Sequence, residues 1–146
     1  MHFSHVILMK AAISSKQNLS HIIYVVEKGG YGHIICIVKH FYPKQYKNNY
    51  KQLMDHMVIT CTKALHISAK YNHQTIFTHI YLNGCSTNNF SLTLAKQMTN
   101  KLYSIFADTL EKGYIYSKSH LFGIIMKLLG NVLAPETAAK FKHIHL

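Results

Sequence analysis

The stretch that decides the fold is Ile76–Leu146, "IFTHIYLNGCSTNNFSLTLAKQMTNKLYSIFADTLEKGYIYSKSHLFGIIMKLLGNVLAPETAAKFKHIHL". Its opening, "TIFTHIYL" from Thr75, is short, β-branched and aromatic, and Asn83 and Gly84 close it, which predicts a strand buried on both faces. From about Phe90 the period lengthens. Leu94, Met98, Leu102, Ile105 and Phe106 fall on one side and Lys96, Gln97, Asn100 and Lys101 on the other, as in a helix, with Gly113 marking its end. "GYIYS" (Gly113–Ser117) reads as another strand. Ser119 then caps a helix that runs to Leu133 and carries Leu121, Phe122, Ile124, Ile125, Leu128 and Leu129. Pro135 suits the first turn of a short helix, "PETAAK", before a final strand "FKHIHL".

Upstream, "HIIYVV" (His21–Val26) and "GHIICIV" (Gly32–Val38) flank the turn "EKGGYG" and read as two strands joined tightly. Between Lys47 and Lys70, residues Tyr50, Leu53, Met54, Met57, Val58, Cys61, Ala64 and Leu65 recur at helical spacing with Lys51, Asp55, Thr62 and His66 between them, predicting a long amphipathic helix. Strands alternating with helices imply an α/β fold: a mainly parallel β-sheet with right-handed crossover helices. Residues 1–20 read as an N-terminal extension and 21–146 as a single domain.

With 49% of its 146 residues hydrophobic, the chain is able to bury a core. Cys36, Cys61 and Cys85 are widely spaced inside apolar runs, as expected of buried thiols in a reducing, cytoplasmic setting. Sixteen lysines and no arginine face five carboxylates, a formal net charge of +11. That calls for an anionic partner, either a phospholipid surface or nucleic acid. The lack of arginine, which makes bidentate contacts to phosphate and guanine, disfavours nucleic acid. The apolar patch Val6–Met9 is hemmed in by His5 and Lys10 and forms no signal peptide. Lys127 and Asn131 interrupt Leu121–Leu133, which falls short of the roughly 20 residues a membrane span needs. Membrane contact is therefore expected to be peripheral.

No catalytic pattern emerges. The glycines of "EKGGYG" precede a strand rather than open a helix, so they read as a turn and not a phosphate loop. His2 with His5, and His143 with His145, are the pairs closest to a metal site, but neither has a third converging ligand in sequence. Glu27, Asp55, Asp108, Glu111 and Glu136 are dispersed, which leaves no acid pair. We expect no enzyme activity, cofactor or metal. The informative feature is the helix from Ser119 to Leu133, apolar nearly all the way round. Such a helix is either core or a cover over something apolar.

Three further patterns, "IYLNGCS", "LYSIFADTLEKGYIYS" and "HLFGIIMKLLGNVLAPETAAK", together with the Lys47–Lys70 helix ahead of them, resemble in order and spacing the CRAL-TRIO family of lipid-binding and lipid-transfer proteins. The resemblance implies a lipid lying over the sheet floor under a mobile gate helix, with no covalent chemistry. It assigns Leu121, Phe122, Ile125, Leu128 and Leu129 to the gate, and Asp108 and Lys140 to the lipid head group. Tyr81 stands where the family carries an acid, and the corner lacks its proline and arginine. The family's preceding helical domain and following helix and strand have no counterpart in this sequence, so an open, shallow or shared site is expected.

The leading expectation is thus a phospholipid or other hydrophobic ligand bound at anionic membrane surfaces. One alternative is a protein-protein interaction module or homodimer that uses the 119–133 helix. A second is a nucleic-acid binder, with Lys39, Lys44, Lys47 and Lys51 interleaved with Phe41, Tyr42, Tyr46 and Tyr50.

Overall fold

The structure, a computed structural model, describes residues 19–47, 49–106, 108–130 and 133–146. Strands β1 (Ile23–Lys28), β2 (Tyr31–Ile37), β3 (Ile76–Tyr81), β4 (Leu110–Ser117) and β5 (Phe141–His145) form one sheet in the order β1-β2-β3-β4-β5. β1 and β2 are antiparallel across Gly29–Gly30, both at positive φ, and every later pairing is parallel. The helices are α1 (Lys51–Lys70), α2 (Leu92–Phe106), α3 (Ser119–Leu129) and the one-turn α4 (Pro135–Ala138).

The register sorts the side chains into two faces, because alternate residues point oppositely. Ile34, Thr78, Gly113 and Phe141 form one row, and Cys36, Ile80, Ile115 and His143 the next. On this face α1 covers the β1–β2 end, joining Leu53, Val58, Ala64 and Leu65 to Ile23, Ile34 and Ile76 in the larger core. α2 adds Leu94, Met98 and Leu102 to the same cluster. α3 covers the β4 end, where Leu82, Ile115 and Ile125 make a second, smaller core. Gly32 explains how closely α1 sits. A Cβ there would lie 2.1 Å from the Ala64 carbonyl oxygen, and the Gly32 N–H donates to Ser68 Oγ at 2.9 Å.

Four expectations need correction. β3 is not buried on both faces: Ile76 is buried, but Phe77 through Tyr81 are half-buried. Parallel strands laid down in sequence order by crossovers of one hand receive their helices on one side, leaving the other without them. α1 starts at Lys51 rather than Lys47, because Pro43–Tyr46 forms a 3-10 turn and Lys47 then turns left-handed at φ 48. α2 ends at Phe106, and Asp108 at φ 61 reverses the chain into β4. Gly113 therefore lies inside β4 rather than at a helix end; the Phe141 ring occupies the space beside it, 2.4 Å from where a Cβ would be. The N-terminal patch Val6–Met9, the pair His2 and His5, and the side chains of Ile105, Phe106 and Ser119 lie outside the described residues.

Two glycine substitutions test this packing. Gly32→Ala forces α1 off the sheet and should cost about 3 kcal/mol in urea unfolding. Gly123→Ala, on α3 with nothing within 4 Å of the new methyl, should instead stabilise by about 0.5–1 kcal/mol.

Candidate functional site

α3 follows β4 directly and folds back over the sheet. The Phe122 ring stacks on His143, with centroids 4.2 Å apart and planes 9° from parallel. His143 is held by Ser117: its Nε2 lies 2.9 Å from the Ser117 carbonyl oxygen, to which it donates, and 3.2 Å from the hydroxyl. Leu121, Phe122 and Met126 join Ile125 against Ile80, Ile115 and Phe141. On the outer side, Ile124 is 55% exposed. The predicted gate residues Leu121, Phe122 and Ile125 are therefore brought together over the sheet. Leu128 and Leu129 continue the helix, and their side chains lie outside the described residues. Phe141 packs against the same cluster, its ring beside Gly113.

The proposed head-group residues share the N-terminal end of the parallel strands but are not neighbours. Lys140 immediately precedes the Gly113–Phe141 rung and its carbonyl accepts the Gly113 N–H, whereas Asp108 is five positions upstream of that rung in an exposed turn. Among the described residues no ion pair joins them; Lys51 pairs with Asp55 at 2.8 Å.

The segment weighed for nucleic acid folds inward. Phe41 and Tyr50 are buried, and Tyr46 packs against both. An open depression of about 360 Å³ beside it is lined by Pro43, Lys44, Lys47, Tyr50, Phe90 and Ser91.

Sequence reasoning missed the other face of the sheet. Its rows are Val26, His33, Phe77 and Lys112; then Ile35, His79, Tyr114 and Lys142; then Ile37, Tyr81, Tyr116 and Ile144. Among the described residues no helix packs on it. The rings stack on one another: His33 on Phe77 (4.9 Å), His79 on Tyr114 (5.4 Å) and Tyr81 on Tyr116 (4.2 Å). The signal was the two-residue spacing of rings at 31 and 33, at 77, 79 and 81, and at 114 and 116.

A hydrogen-bonded chain crosses this face, and its polarity follows from its end. The Lys28 carbonyl accepts only, so His33 Nε2–H donates to it at 3.1 Å. Neutral His33 then accepts at Nδ1 from His79 Nε2–H, 2.9 Å away, and His79 Nδ1 accepts from the Tyr116 hydroxyl at 2.7 Å. Burial, then His33, then Lys28 lower the His79 pKa. Burial, then Tyr81 and Tyr114, push the Tyr116 hydroxyl up to about 12. Both imidazoles use both nitrogens, so neither ring is left with an unmet hydrogen bond on this face.

No thiol is poised as a nucleophile. Burial pushes Cys36 and Cys61 up to about 12, and burial raises Cys85 to about 11 against the opposing charge of Lys39. Among the described residues no group of three His, Cys, Asp or Glu side chains is placed to hold a metal ion, and no helix is long and apolar enough to cross a membrane.

The sequence profile of the CRAL/TRIO domain matches residues 18–145. The fold is similar to the crystal structure of Sfh5, with a TM-score of 0.77 at 12% sequence identity, over 93% of this chain and 54% of that one. The chain thus spans about half the length of that structure. No curated protein sequence matches it.

The His33–His79–Tyr116 chain predicts a pH dependence. In the unfolded chain His79 titrates near 6.5, and folding lowers that value, so below it the unfolded state binds more protons. The melting temperature should be constant above about pH 7 and fall as the pH drops through 6.5 towards the folded value. Thermal melts of His79→Phe should show a smaller fall over the same range.

Proposed function

The chain belongs to the CRAL/TRIO domain family, and we propose that it binds a phospholipid or similar lipophilic ligand without covalent chemistry and exchanges it at anionic membrane surfaces. The family suggests the lipophilic ligand. The observation that carries the rest of the reading is the way α3 is held. The helix turns Leu121, Phe122, Ile125 and Met126 to the sheet and exposes His120, Ile124 and Lys127, and it rests on a core of its own, Leu82, Ile115 and Ile125, separate from the one that fixes α1. It is therefore able to lift without unpacking the larger core. An acyl chain replacing Phe122 and Ile125 over the Ile80, Ile115 and Phe141 floor recovers about 0.8 kcal/mol per buried methylene.

In this reading Leu121, Phe122, Ile125, Leu128 and Leu129 form the moving cover. Asp108 and Lys140, at the far end of the sheet, meet the head group once the cover has moved. The sixteen lysines draw the protein to anionic lipid by long-range attraction, so membrane contact is peripheral and made from the cytoplasm.

Native mass spectrometry of the purified full chain and co-sedimentation with phosphatidylcholine–phosphatidylserine vesicles test this reading. A co-purified lipid mass and vesicle binding that weakens with salt are expected. Phe122→Asp should lower lipid retention at least tenfold with an unchanged far-ultraviolet circular dichroism spectrum, and Ile124→Ser, on the outer side, should retain lipid. A lipid-free mass together with no vesicle binding would sink the reading. A mass that doubles with concentration would instead give α3 to self-association.

A further inference from the structure

We infer that the sheet face opposite α3 is a second ligand surface, taking a long-chain carboxylate that lies across the strands with its tail over β1–β2 and its charge at Lys112 and Lys142. The arrangement of the rows carries this. The first runs from Val26 through His33 and Phe77 to Lys112, the second from Ile35 through His79 and Tyr114 to Lys142. Each is apolar at the β1–β2 end and cationic at the β4–β5 end, a polarity that matches an amphiphile lying across a sheet whose strands are about 4.8 Å apart. Tyr24 and Val26, at the apolar end, are 38% and 40% exposed.

Lysine predominates on this face. Lys28, Lys112 and Lys142 project from it, Lys28 one row beyond Val26 at the hairpin end. Glu27 sits on a strand position that points to the helical face, Glu111 lies in the bulge of β4 between the Ile76 and Phe77 rungs, where it accepts from the Thr75 hydroxyl at 3.1 Å, and Asp55, Asp108 and Glu136 lie off the sheet. The middle of the face makes no polar demand, since the tyrosine-to-carbonyl chain through His79 and His33 occupies all four imidazole nitrogens. A single carboxylate suits the head position better than a phosphate dianion, because the lysines are separate point charges with no guanidinium fork or helix N-terminus beside them. A nucleobase suits it less still. The rings already stack face to face with one another, leaving edges rather than free faces to a ligand.

This surface is independent of α3, and its test separates the two. With the full chain, a nitroxide-labelled stearate should broaden the methyl signals of Val26, Ile35 and Ile144, with recovery on ascorbate reduction, and leave Ile125 sharp. Oleate should bind at least fivefold more weakly to the double variant Lys112→Glu/Lys142→Glu, and oleyl alcohol should bind both proteins equally. Broadening confined to Leu121 and Ile125, or no broadening at all, would overturn the inference. So would equal oleate affinity in the double variant, or oligothymidylate displacing the label from a face that oleate does not compete for.

Discussion

Everything in this protein depends on the order in which the sheet is laid down. Each parallel strand is placed beside its predecessor, β2 to β3 to β4 to β5, and never on the other side of β2. A doubly wound sheet reverses that order once and so distributes helices to both faces. Here there is no reversal, and α1 and α3 cover the same face. The tight approach of α1 follows from this: with β2 under α1, only a residue without a side chain fits at Gly32.

One-sided packing divides the stability unevenly. α1 contributes buried residues along its length to a cluster that reaches β1, β2 and β3, whereas α3 contributes Ile125 to a cluster with Leu82 and Ile115. Elements held by few buried apolar residues open at lower free energy than those in the main core. A weakly held helix and a firmly held scaffold are thereby built from the same repeating unit. The uncovered face meets the opposite problem, that of placing polar rings where a layer of helix would otherwise be. It does so by closing the hydrogen bonds on themselves, from the Tyr116 hydroxyl through His79 and His33 to a backbone carbonyl. Charging His79 adds a proton at Nδ1, against the Tyr116 hydroxyl that donates there, which joins the integrity of that face to pH.

Much of this was legible in the residues. Apolar, β-branched runs bounded by turn residues located the strands, and the 3.6-residue period, set by backbone geometry alone, located each long helix. The ends were less legible. Lys47 and Asp108 adopt left-handed turns that their identities do not announce, and Gly113, a plausible helix stop, makes room for the ring of Phe141, 28 positions away. That Leu121, Phe122 and Ile125 share one apolar helix could be read from sequence, since a run so rich in apolar residues is conspicuous. The ring ladder could not, because its members come from three strands and become neighbours only through register.

The sequence by itself determined the alternation of strands and helices, the excess of lysine and the apolar character of the segment read as a helix over Ser119–Leu133, all of them local properties of composition and spacing; the helix itself ends at Leu129. Only the tertiary structure decided which face each strand residue joined, that His79 meets both His33 and Tyr116, and that the lysines at 112 and 142 end rows that begin at Val26 and Ile35. The physical reason is that a strand's alternation says that its two sides differ, while pairing register and crossover hand, which involve residues tens of positions apart, decide what lies on each.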